Sequence, residues 1–181
     1  RLAMKSSKQF PMTGIVQVDE FVVGGKETGK QGRSYDSKKT KVACAVELTN
    51  EGKIKRGYAN VIDDYSAKSI KPLFDEHISK DAKVKTDMWT AYKIIAKNYN
   101  IVQEKSIPGK NFKEMHTIIH QVKTAIRTIQ THVKKEHLQK YLDEYFYRLN
   151  RSIYKVSIFD NIFKRLVSHP HQGWKQIVVI K

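Results

Sequence analysis

Three short stretches of this chain hold residues whose types and spacing could do chemistry. "EMHTIIHQVKTAIR" (114–127) places His116 and His120 four apart and Lys123 seven beyond His116. "VQVDEFVV" carries Asp19 among apolar and β-branched residues, and "VKTDMW" carries Asp87 directly after an apolar alternation. A carboxylate in such surroundings costs free energy unless something compensates its charge. Neighbours on a strand face opposite ways, so either Asp19 or Glu20 must point to the less exposed side. Taken singly, each aspartate also reads as a solvated strand end or a helix cap. Brought together at neighbouring strand positions, the two would make a hard, oxygen-rich site for Mg2+ or Mn2+.

The histidines suggest a different metal, because i, i+4 pairs hold zinc in metalloproteases. Position 117 is Thr, however, where such a site has its general-base Glu. At about 100° per residue His116, His120, Lys123 and Arg127 share one narrow sector of a helix, and the stripe of Met115, Ile118, Ile119, Val122, Ile126, Ile129 and Val133 is centred about 110° away. The histidines therefore lie off the core-facing side, and Lys123 stands about 10 Å along the same face from His116. That sector reads as a solvated polar face or as the third side of a site with Asp19 and Asp87. "GGKETGKQ" (24–31) matches a phosphate-binding loop at Gly24, Gly29 and Lys30, but Gln31 replaces the Mg2+-holding Ser/Thr and a strand follows instead of a helix. This argues against a nucleotide cofactor and makes Lys26 and Lys30 part of a basic loop beside the site.

The elements that must position these residues can be read from periodicity. "GIVQVDEFVVGG" (14–25), "TKVACAVELT" and "KIKRGYANVI" read as three strands, the last two forming a hairpin around "NEG". "SAKSIKPLFDEHI" (66–78) reads as a Ser-capped helix with Pro72 as a blemish, "AKVKTDM" as a strand, "WTAYKIIAKNY" as a helix and "IVQEKSI" as a fifth strand. From residue 112 onward the pattern is helical, with "KEHLQKYLDEYFYRLNRS" and "FDNIFKRLVSH" as further amphipathic helices. The expected organisation is an N-terminal linker over 1–13, an α/β core over 14–133, and a helical extension with a tail over 134–181.

With 34 Lys+Arg against 18 Asp+Glu, the 181-residue chain carries a net charge of +16. A polyanionic partner is implied, nucleic acid before an acidic membrane surface, since a basic face gains affinity by releasing counterions condensed on phosphates. No apolar run approaches the roughly 20 residues needed to cross a bilayer, and no signal peptide is evident, so a soluble intracellular location is expected. The single cysteine, Cys44, excludes a disulfide framework or cysteine-rich zinc ribbon and reads as a buried, inert thiol. The chain begins "RLAMKSSKQF" without an initiator Met, and an upstream region is expected.

"VDEFVVGGK", "TDMWTAYK", "MHTIIHQVK" and "HLQKYLDEYFYRLNRS" together resemble bacterial insertion-sequence transposases of the DDE superfamily, the last stretch being the most specific. The resemblance is to the ISXO-type group, whose third ligand varies among Glu, Asn and His and is followed by a Lys seven positions later. It implies a ribonuclease-H-like fold, shared with retroviral integrases, with a mixed sheet, three initial antiparallel strands, flanking helices and a C-terminal helical extension. It implies Asp19, Asp87 and His116 as ligands of two divalent ions, Mg2+ or Mn2+, with Lys123 as the trailing basic residue. Glu114 is the competing third ligand, lying about 160° from His116 around the helix. DNA contacts are expected from Lys123, Arg127, His120, Lys26, Lys30 and Trp89, although Trp89 is better suited to packing beneath the site. The implied activity is metal-dependent cleavage of DNA at transposon ends and transfer to target DNA, in a bacterial, nucleoid-associated setting with a homodimer in the synaptic complex. Relatives usually carry an N-terminal DNA-binding region that nothing here matches. Two other readings are a non-catalytic nucleic-acid-binding module and a ribonuclease-H-like nuclease without strand transfer.

Overall fold

A computed structural model of the chain describes residues 1–25, 39–107, 109–129, 133–152 and 157–169. The three initial strands form as read: β1 (Ile15–Val23), β2 (Thr40–Leu48) and β3 (Ile54–Ile62). β2 is buried over all but its first residue, as its near-continuous apolar run demands of a strand covered on both faces. With β4 (Lys83–Thr86) and β5 (Ile101–Gln103) the sheet order is β3-β2-β1-β4-β5. The pairs β1–β2 and β2–β3 are antiparallel, and β1–β4 and β4–β5 are parallel. This order and polarity are those of the ribonuclease-H-like fold. Parallel neighbours need crossovers, and α1 (Ala67–His77) and α2 (Ala91–Ile95) supply them.

The two sheet faces have separate cores. Val16, Val18, Ala43, Ala45 and Val84 pack with Ile70, Leu73, Phe74 and Tyr92 of α1 and α2. On the opposite face Phe21, Val42, Cys44 and Val46 meet Met115, Ile118, Val122 and Ile126 of α3 (Lys113–Ile129) and Leu138, Leu142 and Phe146 of α4 (Lys135–Arg151). Cys44 is fully buried, which pushes its thiol far above the ordinary range and keeps it inert.

Some boundaries differ from the sequence reading, each for a local reason. α2 is confined to Ala91–Ile95; beyond it the chain turns so that Tyr99 packs edge-on to Phe74 at 5.2 Å and its hydroxyl donates to Asp75 at 2.9 Å. β5 stops at Gln103 because β4 ends at Thr86, leaving nothing further to pair with. Val133 lies past the end of α3 although it still packs against the same core. Residues 1–13, expected as a linker, lie along the body: Met12 is fully buried, its amide donating to the His77 carbonyl at 2.7 Å and its carbonyl accepting from Ser79 at 2.9 Å. The Arg56 guanidinium donates to the carbonyls of Phe10 and Pro11, and its Nε pairs with the fully buried Glu47.

β3 is an edge strand, and α4 closes it. Gln139 accepts from the Val61 amide at 2.8 Å and donates to the Ala59 carbonyl at 2.9 Å. Asn150 accepts from the Gly57 amide at 2.7 Å and donates to the same residue's carbonyl at 2.9 Å. Two carboxamides thus occupy backbone groups on the alternate residues 57, 59 and 61, where a further strand would otherwise add. Gly57 suits this approach, since a Cβ there would lie 2.9 Å from the Phe146 ring.

Candidate active site

Strand alternation separates the two adjacent carboxylates of β1. Asp19 lies on the α3 side, opposite Cys44 of β2. Glu20 lies on the α2 side, where it accepts a hydrogen bond from the fully buried Tyr92 hydroxyl. The register of β1 with β4 pairs Val18 with Thr86, so Asp19 and Asp87 are the next residues along two adjacent parallel strands. Their charges are felt together at Tyr92, whose hydroxyl is held well above its ordinary range by burial first, then by Glu20, Asp19 and Asp87.

Asp87 sits in a braced turn at the carboxyl end of β4. One of its carboxylate oxygens accepts from the Trp89 amide at 3.0 Å. Gln103 of β5 donates to the carbonyls of Asp87 and Trp89 at 3.0 and 2.9 Å. The Trp89 ring packs against the core and its Nε1 donates to the Tyr65 carbonyl at 2.8 Å.

The start of α3 is held by a side chain from β1. Gln17, buried and two residues before Asp19 on the same strand face, accepts from the Met115 amide at 3.1 Å and donates to Glu114 at 3.4 Å. Amides in the first turn of a helix lack partners within it, so this contact both satisfies one and anchors the helix over the strand. His116 then stands with its Nε2 3.8 Å from Asp19 Oδ2. Glu114 is turned to Gln17 instead. Two turns on, Lys123 Nζ lies 5.5 Å from the centre of the Phe21 ring. Its pKa is lowered by burial first and then by Arg127 and Lys39, with Asp19 acting the other way. Arg127 and His120 are exposed on the same helix, and Lys26 and Lys30 lie outside the described residues.

Gln17 and Gln103 were not singled out by sequence. The available signal was a polar amide inside an otherwise apolar strand in "GIVQVDEF" and again in "NIVQEK". Its meaning depended on which element lay opposite.

The donors on hand are two carboxylates and an imidazole, a set whose chemistry fits a divalent ion of the Mg2+ or Mn2+ kind. As placed, Asp19 and His116 form the near pair, and among the described residues no group of three His, Cys, Asp or Glu side chains is arranged to hold an ion.

A profile of the family described as the ISXO2-like transposase domain matches residues 11–150. The chain belongs to this family. The matched span of the transposase domain runs from the segment before β1 to the end of α4 and takes in Asp19, Asp87, His116 and Lys123. Among solved structures it is similar to a chain of the simian T-cell lymphotropic virus intasome in complex with PP2A regulatory subunit B56 gamma, determined by cryoEM. The identity is 11% and the TM-score 0.43, over 74% of this chain and 48% of that one. The transposase domain thus spans about half the length of that chain, and the fold assignment rests on its own strand order. No match is found among curated proteins. Among the described residues no helix is long and apolar enough to cross a membrane.

Proposed function

We propose that this transposase domain cuts DNA at the ends of an insertion sequence and joins the freed ends to target DNA, using divalent ions held by Asp19, Asp87 and His116. The observation that carries this reading is that Asp19 on β1 and Asp87 directly after the adjacent parallel β4 each follow the last paired residues, Val18 and Thr86, with His116 3.8 Å from Asp19. Such ions, when bound, would polarise a phosphoryl oxygen and lower the pKa of water. The protein's own share is positioning. Gln103 braces the Asp87 turn, and Gln17 holds the start of α3, the helix that carries His116 to within 3.8 Å of Asp19.

Lys123 and Arg127 hold DNA phosphate beside the carboxylates, with His120, Lys26 and Lys30 extending the basic path. Lys123 is partly desolvated against Phe21, which strengthens its pull on a phosphate relative to a fully solvated ammonium. Trp89, held by Tyr65, supports the Asp87 turn from below. Two copies acting on two transposon ends make the working assembly, in the bacterial nucleoid.

The test is cleavage of a duplex carrying an insertion-sequence end in Mn2+. Asp19→Asn and Asp87→Asn are each expected to abolish cleavage while DNA binding persists; unchanged cleavage refutes the assignment. Joining of a pre-cut end to a plasmid separates a transposase from a nuclease without strand transfer. Saturable Mn2+ binding lost in Asp19→Asn separates both from a DNA-binding module.

A further inference from the structure

α5 (Ile158–Ser168) presents an apolar face that nothing else among the described residues covers. Its half-buried residues, Ile158, Asn161, Ile162 and Arg165, face the body. Arg165 fixes the helix there, donating to the Lys5 carbonyl at 2.7 Å and lying 5.3 Å from the Tyr147 ring centre. On the other side Phe159, Phe163, Leu166 and Val167 are 72%, 57%, 56% and 71% exposed. At about 100° per residue these four fall within an arc of about 100°, one continuous stripe. The rings of Phe159 and Phe163 lie nearly parallel at 6.2 Å, forming a flat surface. Asp160 and Lys164, both exposed, run along one rim of the stripe.

We infer that this face docks on α5 of a second copy of the chain, antiparallel across a twofold axis. The rim charges favour that occupant. An axis crossing α5 at Phe163 sets Phe163 on its own symmetry mate, Phe159 against Val167, and Asp160 beside Lys164 twice over, whereas a parallel twofold pairing puts the two charged rims on opposite flanks of the contact, where neither meets the other. The area also limits the strength. At about 200 Å² for each large side chain, the exposed part of the stripe comes to roughly 500 Å², short of the roughly 800 Å² per partner of a standard stable interface. The contact is therefore a weak one, suited to two copies already brought together by other means. The inference does not depend on the active-site reading and is tested without DNA or metal.

Sedimentation of the full chain over a range of concentrations is expected to show reversible dimers that Phe163→Asp abolishes while the circular dichroism spectrum is unchanged. Asp160→Lys and Lys164→Asp are each expected to weaken the dimer about fivefold, and the double variant to restore it. Phe163→Cys should crosslink to its symmetry mate under mild oxidation, with Cys44 too buried to compete. A chain that stays monomeric and uncrosslinked at every concentration overturns the inference and leaves the stripe to another occupant, such as residues 170–181 of the same chain. So does a dimer indifferent to Phe163→Asp, or a double charge variant no stronger than the singles.

Discussion

Gln17 holds the first turn of α3, the helix that brings His116 to Asp19, so its role is separable from that of the proposed ligands. Replacing it with Leu leaves the buried Met115 amide unpaired, a cost of about 1–3 kcal/mol, and frees the first turn of α3 to shift. Mn2+ affinity measured by calorimetry should fall about 10-fold to 100-fold, as for other residues that orient a ligand from behind, with the fold retained. In the proposed site His116 would supply an imidazole nitrogen in place of a carboxylate oxygen, leaving the ligand set one carboxylate poorer. His116→Glu is expected to shift metal preference from Mn2+ toward Mg2+, read as the ratio of cleavage rates in the two ions. If Lys123 faces phosphate as proposed, Lys123→Ala should slow cleavage on the order of 100-fold, and Lys123→Arg should recover most of it.

At the scale of elements, the pairing of α4 with β3 explains why the stretch with the most specific resemblance lies outside the candidate site. In "HLQKYLDEYFYRLNRS", Gln139, Phe146 and Asn150 are spaced by seven and four, one face of a helix. That face meets the backbone of β3 at Val61, Ala59 and Gly57. Asn150→Leu should destabilise the domain by about 1–3 kcal/mol, seen as a lower Tm, and should promote aggregation because the strand edge is uncovered. Gly57→Ala tests the same contact from the other side: its methyl would meet Phe146 at 2.9 Å, so α4 must shift or the domain loses stability.

At the scale of the molecule, charge and pH act on binding and on stability separately. The net charge of +16 predicts DNA affinity that falls steeply with salt. Removing one proposed phosphate contact, as in Arg127→Ala, should lower the slope of log K against log salt by about 0.9. Stability responds to His77, which is buried and stacked on Tyr58 at 4.1 Å. Burial draws its pKa down to about 4 from 6.5, helped by Lys8 and Arg56 and opposed by Glu76 at 3.7 Å. Between about pH 6.5 and 4 the unfolded chain therefore binds a proton that the folded chain refuses. This contribution is fully present above pH 6.5 and is lost as pH falls through about 4, removing up to about 3 kcal/mol. Urea unfolding at pH 7 and pH 4.5 should show the loss, and His77→Phe should reduce it.

Periodicity and composition by themselves determined the strand and helix order, the apolar stripe of α3, the buried cysteine and the basic balance, because these depend on neighbours a few residues apart. The family was legible separately, as a resemblance of four stretches of which "HLQKYLDEYFYRLNRS" is the most specific. Tertiary structure alone decided that Asp19 rather than Glu20 faces α3, that Glu114 turns to Gln17 while His116 turns to Asp19, and that Gln103 braces Asp87. It decided too that Gln139 and Asn150 close a strand edge and that α5 shows its phenylalanines outward. A polar side chain's meaning lies in what stands across from it, and in each of these cases the facing group comes from an element that local sequence does not reach.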